Sequence, residues 1–247
     1  PLLQRGNIKL MTIGPDAPSD AIDLDAEPPR PELLRAHCAA TKIDADDVFT
    51  ICWTSGTTGI PKGVPRSHNH WVGIAPATYI TSQLQDGEVM LNPFPLINMG
   101  SIGGVMMSWL RVAGTMVLHH PFDPQVYLTQ IATERPSFTI APPAVLNMLL
   151  QNEALLAKVD LSSLRTGVTI GTPAQVERVA ALGVPEICNV YGLTEAYGNS
   201  TVTDAHEPLA RRVQTVGKAL GGVEIAILGP EGQTLPAGET GEIALRG

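Results

Sequence analysis

The sequence predicts an α/β fold: a parallel sheet with helices on both faces, followed by the start of a small β-rich, barrel-like subdomain. Three observations predict it. Between residues 87 and 190, short apolar runs alternate with longer helix-like segments, the pattern of right-handed βαβ crossovers. The residues with chemical character fall just after those runs, where open parallel sheets bind ligands. After Asp204 the style changes to strand-like runs separated by Gly, Pro and Glu turns, with no helix between them.

Taken in order, Ile8-Lys9-Leu10-Met11-Thr12-Ile13 reads as one strand, 14–31 as a Pro- and Asp-rich linker or long surface loop, and 32–40 as a short helix. Residues 1–46 are therefore expected to be the tail of a preceding subdomain plus a linker. Val48-Phe49-Thr50-Ile51-Cys52-Trp53 is apolar, β-branched and aromatic, and reads as a buried strand. Ser67 is placed to cap a helix running to about Leu84. His68 and His70 on it face opposite sides, which suits surface or packed histidines better than metal ligands. The rhythm then runs strand 89–91, apolar helix 102–112, strand 115–118, and a helix to about Glu134 capped by Asp123 with Pro124 at its first position. Strand 138–141, helix 144–150, strand 167–170, helix 174–182 and strand 186–190 complete it. Strands 223–228 and 242–246 follow, with a turn at Glu231-Gly232. Residues 47–205 thus form the α/β subdomain and 206–247 the start of the β-rich one.

Composition narrows the function. The 247 residues suffice for one large or two small domains, and the 44% hydrophobic content can fill a core. A formal net charge of −8, from 24 acidic and 16 basic residues, argues against nucleic acid and against an anionic membrane surface, but not against a small anion held locally. No run approaches the roughly 18 apolar residues of a membrane span, and no signal peptide is legible. Cys38, Cys52 and Cys188 are widely spaced and odd in number, which points to buried thiols in a reducing cytoplasm. A chain starting at Pro1 rather than Met is expected to be a fragment.

The stretch Trp53-Thr54-Ser55-Gly56-Thr57-Thr58-Gly59-Ile60-Pro61-Lys62-Gly63 organises the rest. Gly56 and Gly59 can take backbone angles closed to other residues. The hydroxyls of Thr54, Ser55, Thr57 and Thr58, bare amide N–H groups and the Lys62 cation together suit a polyphosphate. It is not a Walker A loop, which needs Gly, four residues, then Gly-Lys-Ser/Thr. By composition alone, an ordinary solvated loop reads as well.

The full string resembles the phosphate-loop signature of the adenylate-forming superfamily, most like an acyl-CoA synthetase, with Trp53 where the family has Tyr or Phe. Tyr191-Gly192-Leu193-Thr194-Glu195 resembles that family's second signature. The resemblance implies that Tyr191 lines the adenine, that Thr194 hydrogen-bonds the α-phosphate, and that Glu195 holds Mg²⁺, with Thr194, Glu195 and Lys62 as the catalytic set. Asn189, two residues before Tyr191 on the same strand face, could reach the adenine amino edge. Gly171-Thr172-Pro173 either simply starts a helix or, by resemblance, lies against the purine; only one Gly of the family's usual pair is present. Pro95-Leu96-Ile97-Asn98-Met99-Gly100 occupies the family's acid-binding turn, with Asn98 where His is usual, so Asn98, Met99 and Gly100 are the substrate candidates. Asn donates a hydrogen bond but cannot take a positive charge. Gly241-Glu242-Ile243-Ala244-Leu245-Arg246-Gly247 resembles a structural strand of the family.

The implied activity is ATP-dependent conversion of a carboxylic acid to an acyl-adenylate with release of pyrophosphate, then transfer to a thiol, coenzyme A foremost. ATP, Mg²⁺ and coenzyme A are the implied cofactors and co-substrates. The alternatives are an acyl- or aryl-AMP ligase that loads a carrier protein, and a non-catalytic nucleotide-binding module. The resemblance also implies family parts absent here: much of a first α/β subdomain before residue 1, and a ribose-binding Asp, a hinge and a mobile domain with a catalytic Lys after Gly247. Residues 1–247 alone are accordingly expected to be inactive.

Overall fold

The computed structural model describes residues 11–12, 22–23, 30–54, 59–119, 121–196 and 198–247. The chain forms two compact units, 1–44 and 45–247. In the first, β1 (Met11–Thr12) and β2 (Ile22–Asp23) pair in parallel, and α1 (Pro31–Ala40) has Pro at its start. Most of the strand expected at 8–13 and of the linker expected at 14–31 lies outside the described residues.

The second unit opens with β3 (Val48–Thr54) and β4 (Lys62–Ser67), then α2 (His68–Tyr79) and β5 (Val89–Asn92). A π-helical stretch, Ser101–Met106, runs into α3 (Met107–Val112). The alternation continues with β6 (Thr115–Leu118), α4 (Pro124–Glu134), β7 (Phe138–Ile140), α5 (Pro143–Leu150), α6 (Glu153–Leu156), β8 (Thr166–Thr169), α7 (Pro173–Ala181) and β9 (Glu186–Leu193). It closes with β10 (Gly198–Val202), α8 (Leu209–Arg212), β11 (Lys218–Ala219), β12 (Glu224–Leu228) and β13 (Glu242–Arg246).

Local chemistry sets several boundaries. Ser67 Oγ accepts the His70 N–H while His70 Nδ1 accepts the Ser67 N–H, a reciprocal cap that starts α2. Asp123 Oδ1 accepts the Val126 N–H at 2.9 Å and Pro124 follows, as expected for α4. Ala113 and Arg135 close α3 and α4 in the left-handed region, at φ 49° and 51°.

Seven strands form the main sheet in the order β11-β10-β9-β8-β7-β5-β6. β6, β5, β7, β8 and β9 are parallel; β10 and β11 add antiparallel to the β9 edge. Helices cover both faces, and strand alternation supplies both cores. Leu91 and Ile187 point into a core with Tyr127, Leu128 and Val176, whereas their neighbours Met90 and Cys188 point into another with Ala77, Val105 and Phe138. Each such fully buried side chain contributes about 1.5–3 kcal/mol. At the amino ends of the strands, Arg165 Nη2 donates to Glu88 Oε1 at 2.7 Å and to Gln83 O at 3.1 Å, and Nη1 donates to Glu186 Oε2 at 2.5 Å.

Four sequence expectations need correction. The 48–53 run is not a buried strand of the parallel sheet: β3 pairs with β4 in a separate antiparallel ribbon. Thr50, Cys52 and Thr54 turn inward, and Val48, Phe49, Ile51 and Trp53 turn out to solvent, Trp53 being 70% exposed. A short apolar run fixes a strand but not its partner. The helix expected at 102–112 is π-helical over its first half, where Gly103 and Gly104 relax the α-turn and bring the backbone close to Trp71 and Ile140. The strand expected to end at 190 continues to Leu193, because β10 folds back on it with Asn199 opposite Gly192. Of the three thiols expected to be buried, only Cys188 is, Cys38 being exposed and Cys52 half-buried. Past residue 206 the main sheet runs on to β11, which pairs with β10. Beyond it β12 and β13 form an antiparallel ribbon, whose turn carries Gly232 at φ 78°. Among the described residues no helix is long and apolar enough to cross a membrane.

Candidate functional site

Thr54 and Lys62 are register partners at the end of the β3–β4 ribbon. Gly59 sits at φ +88°, a conformation that L side chains rarely adopt. Lys62 is exposed. Thr54 Oγ1 is buried and has no hydrogen-bond partner among the described residues. Ser55, Gly56, Thr57 and Thr58 lie outside the described residues.

Arg66 ties this ribbon to two other motifs. It is fully buried on β4. Its Nη2 donates to the Thr194 carbonyl at 2.8 Å and to Met99 Sδ at 2.9 Å. Its guanidinium carbon lies 4.7 Å from the centroid of the Trp71 ring, a cation–π distance. The Trp71 indole N–H in turn donates to Thr50 Oγ1 on β3 at 2.9 Å. The 95–100 turn, the phosphate ribbon and the Thr194–Glu195 turn are thus physically joined. Sequence reasoning missed Arg66; the signal was an Arg at an inward strand position, alternating with Val64.

β9 carries the second group. Asn189 is buried, and its Nδ2 donates to Thr215 O at 3.1 Å. Its Oδ1 is buried with no partner among the described residues. Tyr191 is half-buried on the same strand face. Rather than following the strand, Tyr191, Gly192 and Leu193 belong to it, and Thr194 begins the hairpin turn to β10. Glu195 is exposed on that turn and lines a cavity of about 690 Å³ with His70, Ile74, Asn199 and Arg246. Next door, burial pushes the Cys188 thiol up to about 12, which makes it a packed thiol rather than a nucleophile.

The 171–173 turn follows β8, whose Thr169 is the register partner of Asn189 on β9. Thr172 caps α7: its N–H donates to Gln175 Oε1 at 2.8 Å and Pro173 follows. A Cβ on Gly171 would lie 2.5 Å from that oxygen, so a larger residue would have to displace the Gln175 side chain from its cap. The helix-start reading is realised, at the strand end beside Asn189.

The acid-turn candidates are held locally. Asn98 Oδ1 accepts the Gly100 N–H at 2.8 Å, and Asn98 O accepts the Ile102 N–H at 3.0 Å, which seats the π-helical stretch. Met99 turns its thioether to Arg66.

Residues 3–247 match the family of AMP-binding enzymes. The chain belongs to that family. Among relatives of this AMP-binding enzyme, YngI of Bacillus subtilis (strain 168) is 34% identical over 215 residues, 83% of this chain and 38% of that protein. A feruloyl-CoA synthase of Amycolatopsis sp is 30% identical over 209 residues, 83% and 42% of the two chains. The solved amide bond synthetase McbA of Marinactinospora thermotolerans superposes with a TM-score of 0.77 at 27% identity, covering 99% of this chain and 47% of that one. The chain thus spans about two fifths of the length of the curated relatives it matches.

Among the described residues no group of three or more His, Cys, Asp or Glu could hold a metal by itself. Glu195 is an exposed carboxylate on the turn that Thr194 begins, and Mg²⁺ characteristically needs only one or two carboxylates beside substrate phosphates and water.

Proposed function

We propose that the whole protein activates a carboxylic acid with ATP and passes the acyl group to a thiol, coenzyme A foremost. The observation that carries this reading is the joining of the Lys62 ribbon, the 95–100 turn and the Thr194–Glu195 turn through Arg66. In this reading the Asn189 Oδ1 accepts from the adenine amino group, and Tyr191, Gly171, Thr172 and Pro173 flank the purine. Lys62 and the 54–59 stretch, including Ser55, Gly56, Thr57 and Thr58, hold the outer phosphates. The Thr194 hydroxyl donates to the α-phosphate. Glu195 holds Mg²⁺, which when bound neutralises phosphate charge. Asn98, Met99 and Gly100 border the acid.

A carboxylate oxygen of the acid attacks the α-phosphorus, and the bond to the β-phosphate oxygen breaks with pyrophosphate leaving. The thiol then attacks the acyl carbon and AMP leaves. Positioning and charge stabilisation suffice, with no covalent enzyme intermediate. Residues 47–205 serve as the nucleotide- and acyl-binding subdomain, 1–46 as the tail of a preceding one, and 206–247 as the start of the β-rich one. The acceptor is the finer point: relatives named as CoA ligases or synthases favour coenzyme A, with carrier-protein loading as the second reading.

The test is an acid panel in ATP–pyrophosphate exchange with the full-length protein, and the 247-residue chain beside it. Acid-dependent exchange by the full-length protein, none by the shorter chain, and coenzyme A-dependent turnover are expected. ATP binding without exchange for any acid would instead leave a nucleotide-binding module.

A further inference from the structure

The geometry points to Arg66 as a positioning residue that sets the Thr194–Glu195 peptide for adenylation; this rests on the function proposed above. A guanidinium with no exposure is an expensive core residue, because an apolar side chain of like volume generally packs as well or better. Its contacts say what it holds. The Thr194 carbonyl that accepts from Nη2 at 2.8 Å belongs to the planar peptide joining Thr194 to Glu195. Fixing that oxygen fixes the plane, and with it the directions in which both side chains leave the turn. The same Nη2 donates to Met99 Sδ at 2.9 Å, and the guanidinium carbon lies 4.7 Å from the centroid of the Trp71 ring, which is itself tied to β3.

One side chain thereby keys three segments: the ribbon that bears Lys62, the 95–100 turn, and the turn bearing the Thr194 hydroxyl and the Glu195 carboxylate. Lysine cannot replace it. Both bonds leave one nitrogen, Nη2, and a compact, strongly hydrated ammonium keeps the charge without the delocalised planar group that stacks on aromatic faces. Reaction rates are steep in such alignment, since a displacement of about 1 Å can cost roughly 100-fold.

The experiment compares full-length wild type, Arg66→Met, Arg66→Lys and Met99→Leu. Steady-state pyrophosphate exchange, thermal unfolding and hydrogen–deuterium exchange of the 192–196 segment are measured for each. Arg66→Met is expected to lower kcat by about 10–100-fold while the KM for ATP moves by less than about threefold and the unfolding temperature holds or rises. Arg66→Lys recovers only part of the rate. Exchange over 192–196 accelerates in Arg66→Met, and Met99→Leu shifts kcat in the same direction by less. A purely structural arginine gives the reverse: a lowered unfolding temperature with unchanged kcat per folded molecule. Either that result or unchanged exchange over 192–196 overturns the assignment. If wild type shows no exchange of pyrophosphate with any acid, the proposed function fails on its own, and hydrogen–deuterium exchange still decides whether Arg66 orders the turn.

Discussion

Asn189→Ala should erode the preference for ATP over GTP. The Asn189 amide is oriented by its own donor, Nδ2 to Thr215 O at 3.1 Å, so Oδ1 is held as the acceptor and has no partner among the described residues. Adenine presents an amino donor where guanine presents a carbonyl acceptor. Accepting the adenine donor contributes about 0.5–1.5 kcal/mol net, and facing a guanine oxygen leaves buried acceptors unpaired at about 1–3 kcal/mol. The discrimination supplied by this one atom is then roughly 2–4 kcal/mol, or about 30- to 1,000-fold. Truncation to alanine removes the acceptor and, separately, the bond to Thr215, at a stability cost of about 1 kcal/mol. Calorimetric titration of full-length protein with each nucleotide measures the first effect, and urea unfolding the second. ATP affinity should fall by roughly 2- to 12-fold, with GTP affinity unchanged or improved. An equal loss for both nucleotides would show that Asn189 acts only by holding the Thr215 loop, and the adenine assignment would be wrong.

Glu195→Gln should lower acid-dependent pyrophosphate exchange by about 10²–10³-fold without changing the unfolding temperature, because Glu195 is exposed. Lys62→Ala should cost less, since neighbouring N–H groups share the phosphate charge; a larger loss from Lys62→Ala than from Glu195→Gln would reverse the assignment of roles. Asn98→Ala removes the acceptor for the Gly100 N–H and should alter preference among acids more than apparent ATP affinity, at about 0.5–2 kcal/mol in stability. The opposite pattern in a two-substrate kinetic series would place Asn98 away from the acid. Burial raises Cys188 from 9.0 and Tyr127 from 10.0, each to about 12. The unfolded chain ionises first, so their contribution to stability is complete below about pH 9 and is lost as pH climbs toward 12. Urea unfolding across that window should show the decline, and Cys188→Ala should flatten it; an identical slope would locate the alkaline sensitivity elsewhere.

Much of the α/β core was legible because its strands are β-branched runs buried on both faces and its helices carry explicit caps. Asp123-Pro124 and Ser67 mark α4 and α2 by side-chain chemistry that needs no tertiary context. What the sequence concealed depends on partners. Val48 to Trp53 reads identically in a central strand and in an exposed ribbon. The return of β10 onto β9 needs Gly192 to lie against the Gly198 carbonyl, a proximity that no local pattern announces. Roles for Thr194, Glu195 and Lys62 could be proposed from motif resemblance, whereas the Arg66 contacts and the Asn189–Thr215 bond emerge only when residues more than twenty positions apart are brought together in space.

The Arg165 clamp at the far end of the sheet makes the strands behave like the ribs of a fan. Arg165 precedes β8, Glu88 precedes β5, and Glu186 opens β9, so three ribs are pinned together at the handle. Angular play is then smallest at the amino ends and is geared up along each strand toward the rim, where 95–100, 171–173 and 194–195 leave the sheet. The handle and the rim are thus opposite ends of the same strands, and Arg165 reaches the rim turns only through the ribs it pins.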